Sequence, residues 1–162
     1  MLNVNVSEVT KMTNIFDLAK AFLSIESMSN KKLQKLCYYA KAWHLALYDE
    51  NLVSEPFEAW IHGPVNPALY DVYKHYGEDD IDLTGELKKT DIENFDEFFT
   101  FVLQVYDSYG HLDGNELEII SHEEKPWIEA RGNKRPWESC DTIISEDIMK
   151  YFYRGKQVYA KI

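Results

Sequence analysis

Cysteine is scarce in this chain, with two residues of this type among 162. Cys37 and Cys140 form neither a CxxC pair nor a spacing typical of metal ligands, so the sequence predicts no structural metal and no cofactor. Both lie among apolar neighbours, which predicts buried free thiols, as in a reducing compartment. We therefore expect a cytoplasmic protein.

Long apolar runs and positive charge are also missing. No stretch approaches the roughly 18 apolar residues of a membrane span, and the first residues lack the basic start and apolar run of a signal peptide. Lys and Arg number 17 against 28 Asp and Glu, a formal net charge of -11. Such a body repels a phosphate backbone, and the compact basic run at Lys31, Lys32 and Lys35 is best interpreted as the solvated face of a helix. We expect no membrane association and no direct nucleic-acid binding. The negative charge suits a basic protein partner, although such a charge more often serves only to keep a protein in solution.

The motifs of common catalytic sites are absent. The chain has no GxxxxGK, GxGxxG, GxSxG or HExxH pattern. His122, which precedes two glutamates, could act as a general base. It could instead interact with the last carbonyls of a helix, and we favour that structural role or a partner contact. His62 could face a cleft, although a role in holding the adjacent turn is the stronger interpretation. We predict that the protein is not an enzyme.

Aromatic residues are abundant, at 14% of the chain with 11 Tyr and 8 Phe. A chain of this composition folds, because disordered chains lack such residues. An aromatic-rich core explains the excess. An aromatic surface is the alternative, since Tyr and Trp are enriched at protein interfaces.

Apolar residues at helical spacing predict a mainly α fold: a single compact helical domain of about six helices, with one to three short β-strands. The clearest helix follows Ser29 or Asn30 and ends at Asp49, and we expect Lys31, Lys35 and Lys41 on its solvent side. Other helices are predicted from Asn14 to near Met28, after Asn66, from about 92–95 to Gly110, after Asp113, from Pro126 to Gly132 and after Ser145. The last should turn Ile148, Met149, Tyr151 and Phe152 inward. The domain should comprise residues 1–162, with a core at about 18–152.

The stretch EAWIHGPVNPALYDVY, Glu58–Tyr73, predicts a corner. An extended segment through Trp60 meets a turn at Gly63 and Pro64. Asn66 and Pro67 then form the N-cap and first position of a helix. Residues assigned to turns and caps, here and elsewhere, are Gly63, Asn66, Pro67, Gly77, Asp113 and Pro126.

Three segments carry a resemblance to a known family: KLQKLCYYAKAWHLALY (32–48), EAWIHGPVNPALYDVYKHYG (58–77) and SHEEKPWIEAR (121–131). A short helix near 148–152 and the pair Tyr109-Gly110 extend it. The chain resembles the phage-associated, SocA-like antitoxin domain, also called Panacea, over about 18–152. Ile61-His62 and the Asp-rich loop at 78–82 depart mildly from that pattern.

The resemblance implies a mostly helical domain that neutralises a cognate toxin by direct protein contact. Relatives are encoded beside a toxin gene, often in a prophage, and the resemblance supplies no catalytic residues. Two alternatives stay open: an adaptor that delivers the toxin to a protease, and an enzyme using His122 or His62. Homo-oligomerisation also stays open.

The corner is our hypothesis for the partner-binding surface. A rigid corner limits the ordering cost of binding. The alternative is that Trp60 and Trp127 belong to the core. The residues assigned to partner binding are Trp60, His62, Pro64, Tyr70, Tyr73, His122 and Trp127.

Overall fold

The computed structural model describes residues 12–82 and 87–160, with side chains as far as Gln157. Its helices are α1 (Ile15–Ile25), α2 (Asn30–Tyr48), α3 (Pro67–Tyr73), α4 (Phe95–Tyr109), α5 (Gly114–His122), α6 (Lys125–Arg131) and α7 (Glu146–Ala160). Two strands, β1 (Glu58–Trp60) and β2 (Gly63–Val65), and two 3₁₀ turns, Lys74–Tyr76 and Lys89–Asp91, complete the regular structure of these residues. The prediction of a mainly α fold with a few short strands is confirmed.

Side-chain caps fix where most of these helices begin. Asn14 accepts from the backbone amide of Asp17 at 2.8 Å, and Ser29 from that of Lys32 at 3.2 Å. Ser145 plays the same part for α7, accepting from the Ile148 amide at 3.3 Å. Each cap satisfies an amide that has no partner inside its own helix, so the starts follow from local chemistry.

Helix α2 is the centre of the fold, with α1, α3, α4, α5, α7 and β2 packed around it. The predicted solvent exposure of Lys35 and Lys41 is therefore wrong: they are 1% and 0% exposed. Lys31, at the start of the helix, keeps a third of its side chain exposed. The amine of Lys41 is satisfied by the carbonyl of Glu55 at 2.9 Å and by Glu146 at 3.1 Å. Because six elements pack around α2, the positions of Lys35 and Lys41 are covered, whereas a lysine near its start stays partly exposed.

Helix α7 packs against α2, but not with all of the predicted residues inward. Met149 is fully buried, as expected, whereas Tyr151 is 63% exposed, so that part of the prediction is wrong. Tyr153, which was not assigned to the core, is fully buried instead. Because Met149 and Tyr153 are four residues apart, they lie on the same side of the helix, and this side faces the core.

A buried polar network joins α7 to α2 and to the start of α6. Glu124 is 3% exposed and accepts from the hydroxyls of Tyr39 at 2.6 Å and Tyr153 at 3.0 Å. Its second oxygen accepts from Lys156 at 2.5 Å, and the Tyr153 hydroxyl also lies 3.2 Å from that of Tyr38. Burial, reinforced by the neighbouring carboxylate, raises the pKa of Tyr39 far above its ordinary value. These hydroxyls therefore stay protonated and act as donors.

The small sheet lies beside α2 and α5. β1 and β2 are antiparallel, with Trp60 opposite Gly63. On the other side of β1, the amide of Ala59 donates to Thr142 at 3.0 Å and that of Ile144 to Phe57 at 2.8 Å. β2 is buried along its whole length, whereas β1 buries only Ala59. The side chains of Glu58 and Trp60 thus point to the outer face.

Candidate partner-binding surface

The turn between β1 and β2 is held by a close approach of Gly63 to its neighbours. Gly63 has φ +102°, and a Cβ built on it would lie 2.5 Å from Cε of Lys35 and 2.9 Å from Oγ of Ser121. Both the backbone angle and the lack of space require glycine here. The corner is therefore fixed against α2 and α5.

Lys35 lies directly beneath this turn. Its amine donates to the carbonyl of Pro64 at 3.2 Å. Burial lowers the pKa of Lys35 to about 7; the nearby Glu118 opposes that effect and Lys31 adds to it. An amine with such a pKa is only partly charged at neutral pH. Because the side chain is buried beneath the turn and does not line a cleft, the amine is not placed to act on a substrate.

Aromatic side chains line the outer side of the corner. The ring of Trp60 meets that of Tyr70 edge-on, with centroids 5.2 Å apart. The Trp60 carbonyl accepts from the indole nitrogen of Trp127 at 2.9 Å. His122 stacks on Trp127, at 4.0 Å and 17° between the ring planes. Trp60, His122 and Trp127 are half-buried and Tyr70 is exposed, so the row belongs neither wholly to the core nor wholly to solvent.

His62 projects from the tip of the turn, with 71% of its side chain exposed. Its Nδ1 lies 2.6 Å from Glu118 of α5, and Lys31 approaches the other oxygen of that carboxylate at 3.5 Å. Burial by itself would raise the pKa of Glu118, but the hydrogen bond with His62 and the charge of Lys31 together lower it. Glu118 is therefore ionised at neutral pH and anchors the turn to α5.

Among His62 and the aromatic row, His122 is the one residue in the described part of the chain with a buried polar atom that lacks a hydrogen-bond partner. That atom is Nε2. Burial lowers the pKa of His122; Glu118 opposes the effect and Lys35 adds to it. The imidazole is thus neutral at pH 7. The hydroxyl of the adjacent Ser121 donates to the Glu118 carbonyl at 2.8 Å, inside its own helix. The geometry fits a stacked structural histidine better than a base activating that hydroxyl.

We call the set Trp60, His62, Tyr70, Glu118, His122 and Trp127 the corner surface. Within the described residues, no group of three His, Cys, Asp or Glu is arranged to hold a metal ion, and no helix is long and apolar enough to cross a membrane.

Comparison with known families matches residues 33–128, more than half of the chain, to the family described as Antitoxin SocA-like, Panacea domain. The chain belongs to this family. No curated protein and no solved structure matches it significantly. The match runs from the first turn of α2 into α6 and so includes the whole corner surface. Membership of the Panacea family favours an antitoxin role, a protein partner and a non-enzymatic mode of action.

In this Panacea domain, five of the seven residues predicted to bind a partner come together. The other two do not: Pro64 is buried, and Tyr73 is half-buried against the core, with its ring centroid 6.4 Å from that of Tyr76. Neither presents its side chain on the corner surface.

The residues predicted for turns and caps occupy such positions. Asn66 caps α3 by accepting from the Leu69 amide at 2.9 Å, and also donates to the Pro56 carbonyl at 2.8 Å. Asp113 caps α5, and prolines 67 and 126 lie in the first turns of α3 and α6. Gly77, at φ +59°, ends the 3₁₀ turn that continues α3.

Arg131 is a residue of the site that sequence reasoning missed. It is 5% exposed and donates to three carbonyls: Ala59 at 3.0 Å, Arg135 at 2.9 Å and Glu138 at 2.7 Å. Its guanidinium also lies 5.0 Å from the ring of Trp127. Arg131 thereby holds both β1 and the loop after α6 in place around that indole. Its position four residues after Trp127 on a helix was the available signal.

Proposed function

We propose that this protein is an antitoxin that neutralises a cognate toxin by direct protein–protein contact through the corner surface. The observation that carries the proposal is the family match over residues 33–128. Lys35 is buried and His122 is stacked on Trp127, and both positions suit structural roles. Neither group therefore favours catalysis over binding at this surface.

The corner surface suits binding for two reasons. It combines half-buried tryptophans with an exposed tyrosine and histidine, and Trp and Tyr are among the residues most enriched at binding hot spots. It is also rigid, because Gly63 is pressed onto Lys35 and the backbone amide of Asn66 is held by Gln34. A surface that is ordered before binding loses little conformational entropy on forming a complex.

Co-expression with the product of the adjacent gene tests the proposal. We expect growth arrest when the neighbour is expressed alone, rescue by this protein, and a stable complex of defined stoichiometry on sizing. Full rescue at substoichiometric levels would overturn contact in favour of catalysis. Loss of the toxin that depends on a cellular protease would instead indicate an adaptor.

Substitutions at the corner surface then test the site. Tyr70→Ala removes an aromatic ring that is 38% exposed, and we expect it to weaken the complex while leaving the melting temperature nearly unchanged. Tyr151→Ala is the matched control, since Tyr151 is 63% exposed on α7. Equal effects of the two variants on toxin binding would contradict the assignment of this surface.

We further propose that the chain forms one domain with its core at about 18–152, and that it acts in the cytoplasm. The buried cluster that runs from Ile15 to Tyr153 supports the first statement. The two buried free thiols, Cys37 and Cys140, support the second.

A further inference from the structure

The charges around the corner surface are unbalanced. Its flanking lysines are already engaged by carboxylates: Lys31 with Glu118, Lys74 with Asp71, and Lys125 with Glu129. Arg131 keeps its positive charge, since carbonyls do not neutralise a guanidinium, but it is 5% exposed and one such charge does not offset the two carboxylates that follow. By contrast, among the described residues no ion pair is seen at Glu58 on the outer face of β1 or at Glu123 at the end of α5. The local surplus is negative, as is the whole chain at -11.

Glu58 lies next to the aromatic row. It is two residues before Trp60 on β1, so the two side chains share the outer side of the strand. Carboxylate and indole together form the setting that a guanidinium prefers, because it stacks on an aromatic face while donating to an anion. Trp127 shows the stacking half of this arrangement inside the protein, since Arg131 lies over its ring at 5.0 Å, although its donors go to carbonyls and not to a carboxylate.

We propose that the corner surface receives an arginine from a positively charged segment of the toxin, stacked against Trp60 and Tyr70 and paired with Glu58. This inference rests on the proposed function and deepens it by naming the chemistry of the partner. Electrostatic attraction brings the basic segment to the acidic surface, and the aromatic ring selects arginine over lysine.

The first test is the affinity for the toxin of charge variants, measured at low and moderate salt. We expect Glu58→Lys to weaken binding about tenfold or more and to reduce its dependence on salt. Asp107→Lys, the same charge change on an exposed residue of α4, should alter affinity less than about threefold. Melting curves of both variants show whether the fold is retained, and Glu58→Gln provides a milder change at the same position.

The second test needs no toxin and so separates this inference from the proposed function. Hexa-arginine and hexa-lysine peptides carry equal charge, and we expect the wild-type protein to bind hexa-arginine more tightly, with a change in tryptophan fluorescence. Glu58→Gln should reduce that preference, whereas Asp107→Asn should keep it.

The outcomes are distinct. If the wild-type protein binds the toxin and Glu58→Lys binds it as tightly as Asp107→Lys does, the arginine site is overturned and the antitoxin role stands. Tighter binding by Glu58→Lys would indicate an anionic partner and overturn the inference. The inference is also overturned if the wild-type protein shows no preference between the two peptides, or if Glu58→Gln retains the preference. A failure of the wild-type protein to bind or rescue counts against the antitoxin role itself.

Discussion

The buried amine of Lys35 makes the stability of this protein depend on pH in a way that one substitution removes. Its pKa is lowered from an ordinary 10.5 to about 7, mainly by burial. At about 1.4 kcal/mol per pKa unit, this difference corresponds to roughly 5 kcal/mol. Between pH 7 and pH 10.5 the unfolded chain holds the proton and the folded chain does not. Stability therefore rises with pH across that window, and below it the full cost of charging the buried amine is present.

Lys35→Met removes the amine and keeps most of the side-chain volume. It also leaves the Pro64 carbonyl without its donor, a loss of about 1–3 kcal/mol. At a pH of about 6 we expect the variant to be more stable than wild type by about 2–4 kcal/mol. Near a pH of about 10 the advantage should disappear or reverse, because the wild-type amine is neutral in the folded state and its deprotonation on folding then costs little.

Urea unfolding at these two pH values, with linear extrapolation to water, measures both differences. Titration of the groups that do not interact with Lys35 is shared by the two proteins and cancels in the comparison, whereas His122 is coupled to Lys35 and its titration belongs to the measured difference. Lys88→Met, at an exposed lysine, is the control and should differ little from wild type at either pH. If the variant and wild type differ by the same amount at both pH values, Lys35 is charged in the folded state with Glu118 as its counterion, and the reasoning fails.

Other substitutions test the corner and the buried network by the same unfolding assay. Gly63→Ala should destabilise by about 3 kcal/mol or more, from backbone strain and from overpacking against Lys35. Gly132→Ala also places a side chain at a positive φ but meets open space, so it should cost less, about 1–3 kcal/mol from backbone strain alone; equal losses would refute the role of close packing. Glu124→Gln should cost about 1–3 kcal/mol, because it removes the charged acceptor of two buried tyrosine hydroxyls, and a neutral result would show that the charge contributes nothing. Asn66→Ala removes the α3 cap and should cost about 2 kcal/mol, with an unchanged midpoint counting against the cap.

Local features of the fold were predictable from sequence because they depend on neighbouring residues. The cap at Asn66, the stop at Gly132 and the turn at Gly63 each require a particular residue within a few positions, and helical periodicity located α2 and α4. α1 ends at Ile25, slightly before the predicted Met28.

Features set by the surroundings of a helix were not predictable in the same way. Periodicity places Lys35 and Lys41 on the polar side of α2, yet six elements cover that helix, so the polar side is buried too. The prediction turned Tyr151 of α7 inward, but Tyr151 lies outside and Tyr153 inside. Because both residues are tyrosines, their hydrophobicity does not tell which one faces the core.

Long-range contacts at the site were equally hidden from the sequence. The contact of Arg131 with Ala59, 72 residues apart, depends wholly on the tertiary fold. The corner residues were found as a group because they lie in recognisable motifs. The role of Glu118 among them required the packing of α5 against the turn.

The family pattern covers less of the chain than the unit that folds, because α7 lies beyond the pattern. The pattern ends at residue 128, whereas Tyr153 and Lys156, further along the chain, satisfy Glu124. A fragment cut to residues 33–128 would leave that carboxylate with Tyr39 alone, and would uncover the side of α2 that α7 shields. Transplanting this domain between fusion proteins therefore requires the sequence through α7 as well as the recognisable motif, because a helix beyond the motif completes the interior on which the motif rests.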